Sequence, residues 1–162
     1  MRKQIIGSTP PAASALSPGE LNIEKIATVM VTSEAEGHPI DNAFDPQRGP
    51  GGSRWMAAQP GEQRVILAFD TPQSIDWIIL EVEEFQTARH QEIQLEVSYD
   101  GGQHYQQLLR QEYNFSPPGT TFEREEWKVA VGDITHLSVR IRPDRQGGPG
   151  RASLTSLVLR EP

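Results

Sequence analysis

The sequence predicts an all-β protein, an antiparallel β-sandwich of about eight strands. Three observations predict it. Several short runs alternate between apolar and polar residues, which is the period of a strand with one buried face. The 162 residues include 14 Gly and 13 Pro, enough for frequent turns. No segment keeps a helical period beyond two turns, which argues against an α/β fold with crossover helices.

The clearest strand runs from Glu92 to Tyr99, where every second residue is apolar. The following Asp100-Gly101-Gly102 tolerates positive φ, so the chain is predicted to turn back as a hairpin. The next strand is then expected at about residues 104–113. Strand ends are poorly marked in sequence, so the pattern places each end to within a few residues.

Other segments complete the sandwich. Residues 127–131 and 137–142 also alternate, and each predicts a strand with one buried face. Residues 65–69 and 77–80 are nearly continuous apolar runs, which is typical of strands covered on both sides. Trp77 opens the second of these runs and is therefore expected in the core.

The chain has the length of a single domain. Its first part is rich in Pro, Ala and Ser and has no hydrophobic period, so residues 1–22 are predicted to form a flexible lead. The strand patterns begin after it. Residues 23–162 are therefore predicted to form one folded domain.

Charge and cysteine content narrow the partners and the compartment. The formal net charge of −7 argues against nucleic acid and against an anionic membrane. Cysteine is absent, which is typical of a reducing compartment. The N-terminus lacks the apolar core of a signal peptide, and no stretch is long enough to cross a bilayer. A cytoplasmic location is therefore expected.

No motif indicates catalysis. The four histidines lie far apart without metal-ligand spacing, and there is neither a cysteine nucleophile nor a Gly-x-Ser-x-Gly elbow. Acidic residues such as Glu81, Glu83 and Glu84 alternate along a predicted strand, which is typical of its solvent-exposed face. The sequence therefore predicts a domain that is not an enzyme.

Four stretches carry a resemblance to a known family. They are residues 27–45 with Ser53-Arg54-Trp55, residues 65–77, the hairpin Val97-Ser98-Tyr99-Asp100-Gly101-Gly102, and residues 137–141 with 153–157. In this order they resemble the discoidin family, also called coagulation factor 5/8 type C domains, which is similar to family 32 carbohydrate-binding modules. The resemblance implies a jelly roll of the galactose-binding-domain type. It also implies that Trp55 is buried.

The resemblance further implies that a ligand meets loops at one end of the sandwich, at residues 33–41, 83–91 and 111–121. Aromatic rings and planar hydrogen-bonding groups suit sugars, so a carbohydrate or glycoconjugate is the expected ligand. Each residue also has a structural alternative, such as shaping a loop or ending a core strand. The candidate residues are His38, Asp41, Phe85, Arg89, His90, Tyr113, Asn114 and Phe115.

Two alternatives and one cofactor stay open at this point. The domain is alternatively an intracellular protein-docking module, which a broad apolar patch would favour over a small polar cleft. A phospholipid surface is a third alternative, with Phe85 and Phe115 at loop tips. Many relatives bind structural calcium, and Asp45 is the candidate ligand here. At most a weak site is expected, because Ser156 stands where relatives often have an acid.

Overall fold

The computed structural model describes residues 19–162. In this range the helical structure is a four-residue α-helix, α1 (Ile23–Ile26), and a four-residue 3₁₀ turn at Ile40–Ala43. No helix there is long and apolar enough to span a membrane. The strands are β1 (Ala27–Val31), β2 (Trp55–Met56), β3 (Gln63–Glu83), β4 (Arg89–Ser98), β5 (Gln106–Phe115), β6 (Phe122–Arg142), β7 (Ser153–Leu154) and β8 (Ser156–Arg160).

All strand pairs are antiparallel, as the sequence predicted. The strands of the main sheet follow the order β1-β3-β6-β4-β5, with β8 also paired to β3. Strands β2 and β7 form a separate short pair. Apolar side chains from both layers, among them Leu67, Ile78, Ile93 and Leu137, are fully buried between them. The predicted antiparallel β-sandwich is confirmed.

Strands β3 and β6 are each 21 residues long and belong to both layers of the sandwich. Their pairing shifts register between Ala68 and Trp77, and β6 has positive φ values at Ala130 and Asp133 there. A bend of this kind lets one strand pass from one layer to the other. The apolar runs at 65–69 and 77–80, predicted as separate strands, are therefore the two halves of β3.

The two tryptophans with core predictions have different outcomes. Trp55 is fully buried, and its indole Nε1–H donates to the Ser33 carbonyl oxygen at 2.9 Å, so this prediction is confirmed. Trp77 is 36% exposed, so its core prediction is wrong. Its neighbour Ile78 faces the core instead, which places Trp77 on the outer face. A continuous apolar run has no alternation to show which residues point inward.

The folded domain begins before residue 23. The Leu21 N–H donates to the Leu159 carbonyl oxygen at 2.9 Å, and the Glu161 N–H donates to the Gly19 carbonyl oxygen at 2.8 Å. Residues 19–22 of the predicted flexible lead therefore pair with β8 and its continuation. The rest of the predicted lead, residues 1–18, lies outside the described residues.

Candidate functional site

One end of the sandwich carries a cleft of about 490 Å³. This volume lies within the range of about 300–1,000 Å³ that is usual for small-molecule sites. The side chains that line it come from different segments of the chain, which meet where strands begin or end. The main side chains are His38 before the 3₁₀ turn, Arg54 before β2, Phe85 after β3 and Arg151 before β7.

Phe85 gives the cleft an exposed aromatic ring. The side chain is 50% exposed, and the guanidinium carbon of Arg54 lies 4.6 Å from its ring centre. A cation at this distance is attracted to the ring face. Arg54 is itself held by Glu83, whose carboxylate oxygen lies 3.8 Å from the guanidinium. The ring is therefore positioned from one side and still exposed to solvent.

The two carboxylates that line the cleft are engaged within the protein. Glu83 is 5% exposed and accepts a hydrogen bond from the Gly51 N–H at 2.9 Å. Glu84 accepts from Arg89 Nε at 2.8 Å and from the Gln86 N–H at 3.2 Å. Neither acid is therefore a free negative charge in the cleft.

Arg89 is buried, so the expectation of an exposed ligand-contacting side chain is wrong. Besides the ion pair with Glu84, its Nη1 donates to the Pro143 carbonyl oxygen at 2.9 Å and to the Gln91 side-chain oxygen. Its guanidinium carbon lies 4.9 Å from the ring centre of Phe115. Burial lowers the pKa of Arg89, and the charge of Glu84 opposes that shift. Arg89 is a structural link between segments.

The reason for this difference is that β4 and β5 extend further than the alternation suggested. Their register pairs Arg89 with Phe115, His90 with Asn114 and Gln91 with Tyr113. These residues were predicted in loops but lie in paired strands. The loops between strands at this end are correspondingly shorter, at residues 84–88 and 116–121.

Tyr113 and Phe115 are core residues rather than exposed ligand contacts. Their side chains are 9% and 2% exposed, and their rings meet edge to face with centres 5.6 Å apart. The Gln91 amide donates to the Tyr113 hydroxyl at 2.7 Å. Burial raises the pKa of Tyr113 far above its usual range. The prediction that placed Phe115 at a loop tip is wrong for the same reason.

A second depression, called here the groove, lies on the other side of Arg89 and has a volume of about 460 Å³. It is bordered by His90, Asn114, Asp144 and Gln146. The His90 ring Nδ1 is hydrogen bonded to the Asn114 side-chain oxygen, and Asp144 accepts from the Gln146 N–H at 3.0 Å. These polar groups therefore satisfy one another.

The structure thus separates the candidates that the sequence grouped in one site. His38 and Phe85 line the cleft, whereas His90 and Asn114 border the groove. Asp41 lies in the 3₁₀ turn and is exposed beside a third depression, next to Phe44. Only two of the eight candidate residues therefore line the cleft.

Arg151 is a cleft residue that the sequence prediction missed. It is exposed, and its backbone is fixed on both sides. A Cβ on Gly150 would lie 2.6 Å from Cδ of Arg89, so that backbone packs closely on the buried side chain. The Ala57 N–H donates to the Ala152 carbonyl oxygen at 2.8 Å. The signal in the sequence was a glycine-rich turn that ends in a cation.

The carboxylate of Asp45 is hydrogen bonded within its own loop. The carboxylate accepts from the Gln47 N–H at 3.0 Å and from the Ser53 hydroxyl. Glu81 accepts from the Gly49 N–H at 2.8 Å. Between residues 19 and 162 no group of three or more His, Cys, Asp or Glu side chains can hold a metal ion. Asp45 in the loop and Glu81 in β3 thus both accept hydrogen bonds from N–H groups of this loop.

Known structures share the architecture of the whole domain. CBM32-3 from a family 31 glycoside hydrolase of Clostridium perfringens superposes with a TM-score of 0.64 and 13% sequence identity, over 96% of this chain and 100% of that one. The fold is that of a family 32 carbohydrate-binding module. The predicted jelly roll is therefore confirmed.

Two further structures agree. The CBM32-1 and CBM32-2 domains of C. perfringens ZmpB with GalNAc give a TM-score of 0.67 at 15% identity, over 95% of this chain and 39% of that chain. The family 32 module of C. perfringens NanJ with galactose gives 0.58 at 14% identity, over 88% of this chain and 98% of that one. No family model and no curated protein matches the sequence. At these identities the likeness shows the fold alone.

Proposed function

We propose that this domain binds a carbohydrate in the cleft and does not act as an enzyme. The observation that carries the proposal is a half-exposed Phe85 in a polar cleft, at the loop end of a family 32 fold. Two of the similar structures hold GalNAc and galactose. An aromatic ring beside planar hydrogen-bonding groups suits a pyranose, which has an apolar C–H face and polar edges.

His38 supplies an acceptor for a sugar hydroxyl. Its ring Nδ1 lies 3.4 Å from the Arg54 carbonyl oxygen. A carbonyl oxygen only accepts hydrogen bonds, so this contact requires the proton on Nδ1. In the neutral ring the other nitrogen, Nε2, is then an acceptor. Gln86, Thr87 and Ser153 also line the cleft and add groups that donate and accept.

The engaged carboxylates support a binding role over hydrolysis of sugars. Glycoside hydrolysis usually needs one carboxyl as acid and another as base or nucleophile. Glu83 and Glu84 are the acids that line the cleft, and both bind groups of the protein itself.

The alternative functions have less support. The large exposed apolar side chains of the described chain lie on four different segments, at Met30, Trp77, Phe85 and Tyr99. Scattered residues of this kind are normal on a protein surface and do not favour a protein-docking face. Insertion into a phospholipid surface would use exposed aromatic side chains, for which Phe85 and Phe115 were the candidates. Phe115 is only 2% exposed, so Phe85 alone is left.

A glycan array followed by titration calorimetry tests the proposal. Phe85→Ala is expected to weaken binding of a glycan found on the array by roughly fivefold or more, because the ring packs on the sugar. Tyr99→Ala is the matched control. Tyr99 is 46% exposed and follows the far end of β4, a strand of ten residues, about 33 Å long.

Two results would contradict the proposal. One is the absence of any glycan that binds. The other is a glycan whose affinity is unchanged in Phe85→Ala or is lost equally in Tyr99→Ala. Both variants change exposed side chains, so their melting temperatures are expected to match that of the original protein.

A further inference from the structure

One charged side chain of the cleft has no ion pair. The cleft is lined by two carboxylates, Glu83 and Glu84, and by two guanidinium groups, those of Arg54 and Arg151. The buried Arg89 pairs with Glu84 at 2.8 Å, and Arg54 lies 3.8 Å from Glu83. Arg151 makes no ion pair with any residue from 19 to 162, and its side chain is exposed to the cleft. Its positive charge is therefore not balanced by a partner among the described residues.

This local charge opposes the charge of the whole chain. The formal net charge is −7, so the protein as a whole repels anions. An unpaired cation in a cleft attracts an anionic ligand, whereas a neutral ligand gains no charge–charge attraction from it. The backbone beside Arg151 is fixed by the packing of Gly150 on Arg89 and by the hydrogen bond of Ala152, which limits the positions that the guanidinium can reach.

We propose that the cleft selects a carboxylated sugar, and that the Arg151 guanidinium binds the carboxylate of a uronic acid residue. This inference rests on the proposed carbohydrate binding. A guanidinium is planar and can donate two parallel hydrogen bonds to a carboxylate, which gives both energy and orientation. Phe85 packs on the ring of the same sugar, and Arg54 lies against the Phe85 ring as a support for it.

Three pairs of sugars isolate the carboxylate. Galacturonate and galactose, glucuronate and glucose, and mannuronate and mannose differ within each pair only in the oxidation of carbon 6. Titration of the isotope-labelled domain, followed by NMR, measures weak affinities for all six. We expect one uronate to bind about tenfold more tightly than its neutral partner, the ratio typical of one charge-assisted hydrogen-bonded pair.

Arg151→Gln removes the charge and keeps most of the side-chain length. It is expected to weaken uronate binding about tenfold and to leave binding of the neutral partner within about twofold. The matched control is Arg142→Gln, the same change at an exposed residue of β6 that lies outside the cleft. Added salt is expected to weaken the uronate complex and not the neutral one, because salt screens charges.

The outcomes distinguish this inference from the proposed function. Neutral sugars that bind as tightly as the uronates would overturn the inference and leave carbohydrate binding in place. An equal loss in Arg151→Gln and Arg142→Gln would overturn it too, since it would show only the effect of overall charge. No binding of any of the six sugars, and no binder on a glycan array, would overturn both.

Discussion

The cleft and the groove lie on either side of the buried Arg89, and they use their polar side chains in different ways. In the groove the polar groups bind one another, as His90 does with Asn114 and the Asp144 carboxylate with a nearby N–H. In the cleft the acids bind protein groups, while the Phe85 ring remains half exposed and the exposed Arg151 makes no ion pair with residues 19–162. The two depressions have similar volumes and different chemistry.

This difference shows that volume and residue type alone do not distinguish the two depressions. The groove holds a histidine, an asparagine and an acid, the residues that suggested sugar recognition from sequence. Each of them already has a hydrogen-bond partner within the protein. In the cleft the Arg151 guanidinium has no ion pair among residues 19–162, and half of the Phe85 ring is exposed. The availability of a group, rather than its type, separates the two.

The largest expected effect comes from Arg89→Ala, which removes the link between the two depressions. The change leaves Glu84 and the Pro143 carbonyl oxygen without their buried partner. Removing one member of a buried ion pair typically costs several kcal/mol, so we expect a loss of about 3 kcal/mol in the free energy of unfolding. Urea denaturation measures it. Lys128→Ala, at an exposed lysine of β6 that makes no ion pair with the described residues, is the control and should change stability by less than about 0.5 kcal/mol.

A stable Arg89→Ala variant that lost ligand binding would reverse the comparison, because Arg89 would then be a ligand residue after all.

Gly150→Ala tests how closely the cleft wall packs on Arg89. The new methyl group would lie 2.6 Å from Cδ of a side chain that is pinned by Glu84 and Pro143. Overpacking of this kind typically costs about 1–3 kcal/mol, and we expect a loss in that range by urea denaturation. Gly132→Ala is the control, because its methyl group would meet only Ser74 Oγ at 3.4 Å. Equal stability of the two variants would show that the wall is loosely packed.

Asn114→Ala addresses the groove alone. It removes the hydrogen bond to His90 from an exposed position, so the free energy of unfolding is expected to fall by at most about 1 kcal/mol. Affinity for a ligand of the cleft should not change, as titration calorimetry can show. In the same assay Phe85→Ala is expected to weaken binding of that ligand. Weaker binding in Asn114→Ala would indicate that the ligand extends across Arg89 into the groove.

The smallest expected effect concerns calcium. The loop of residues 45–53 is held by Asp45, Glu81 and Glu83, which accept hydrogen bonds from its own backbone. Saturating calcium is therefore expected to leave the melting temperature unchanged relative to a chelator, in scanning calorimetry. A clear rise with calcium and not with magnesium would show that the loop is built around a metal ion.

The fold was largely predictable, because alternation over residues 92–99 and 137–142 reports directly which face of a strand is buried. The outward position of Trp77 was not predictable, since the run it opens is apolar at every position. The start of β4 and the end of β5 were predicted as loops for a related reason. Arg89 and Gln91 occupy inward positions where alternation leads one to expect apolar residues. Arg89 is buried with Glu84 and the Pro143 carbonyl oxygen as partners, and Gln91 with Arg89 and Tyr113. A single sequence does not show these pairs.

The candidate site was predictable only in part. His38 and Phe85 were found because they stand in loops that the family resemblance brings together. Arg54 and Arg151 were missed because nothing in a single sequence states which arginines have an acidic partner. That information depends on the fold, in which Glu84 pairs with Arg89 and leaves Arg151 unmatched among the described residues.

The bend in β3 and β6 has a consequence for how the domain loses its structure. Each of these strands is one unbroken segment that supplies the centre of both layers. Melting of either layer therefore breaks the backbone pairing on which the other depends. Amide hydrogens of β3 near Leu67 and near Leu80 should accordingly exchange with deuterium at similar rates, through a single global opening event.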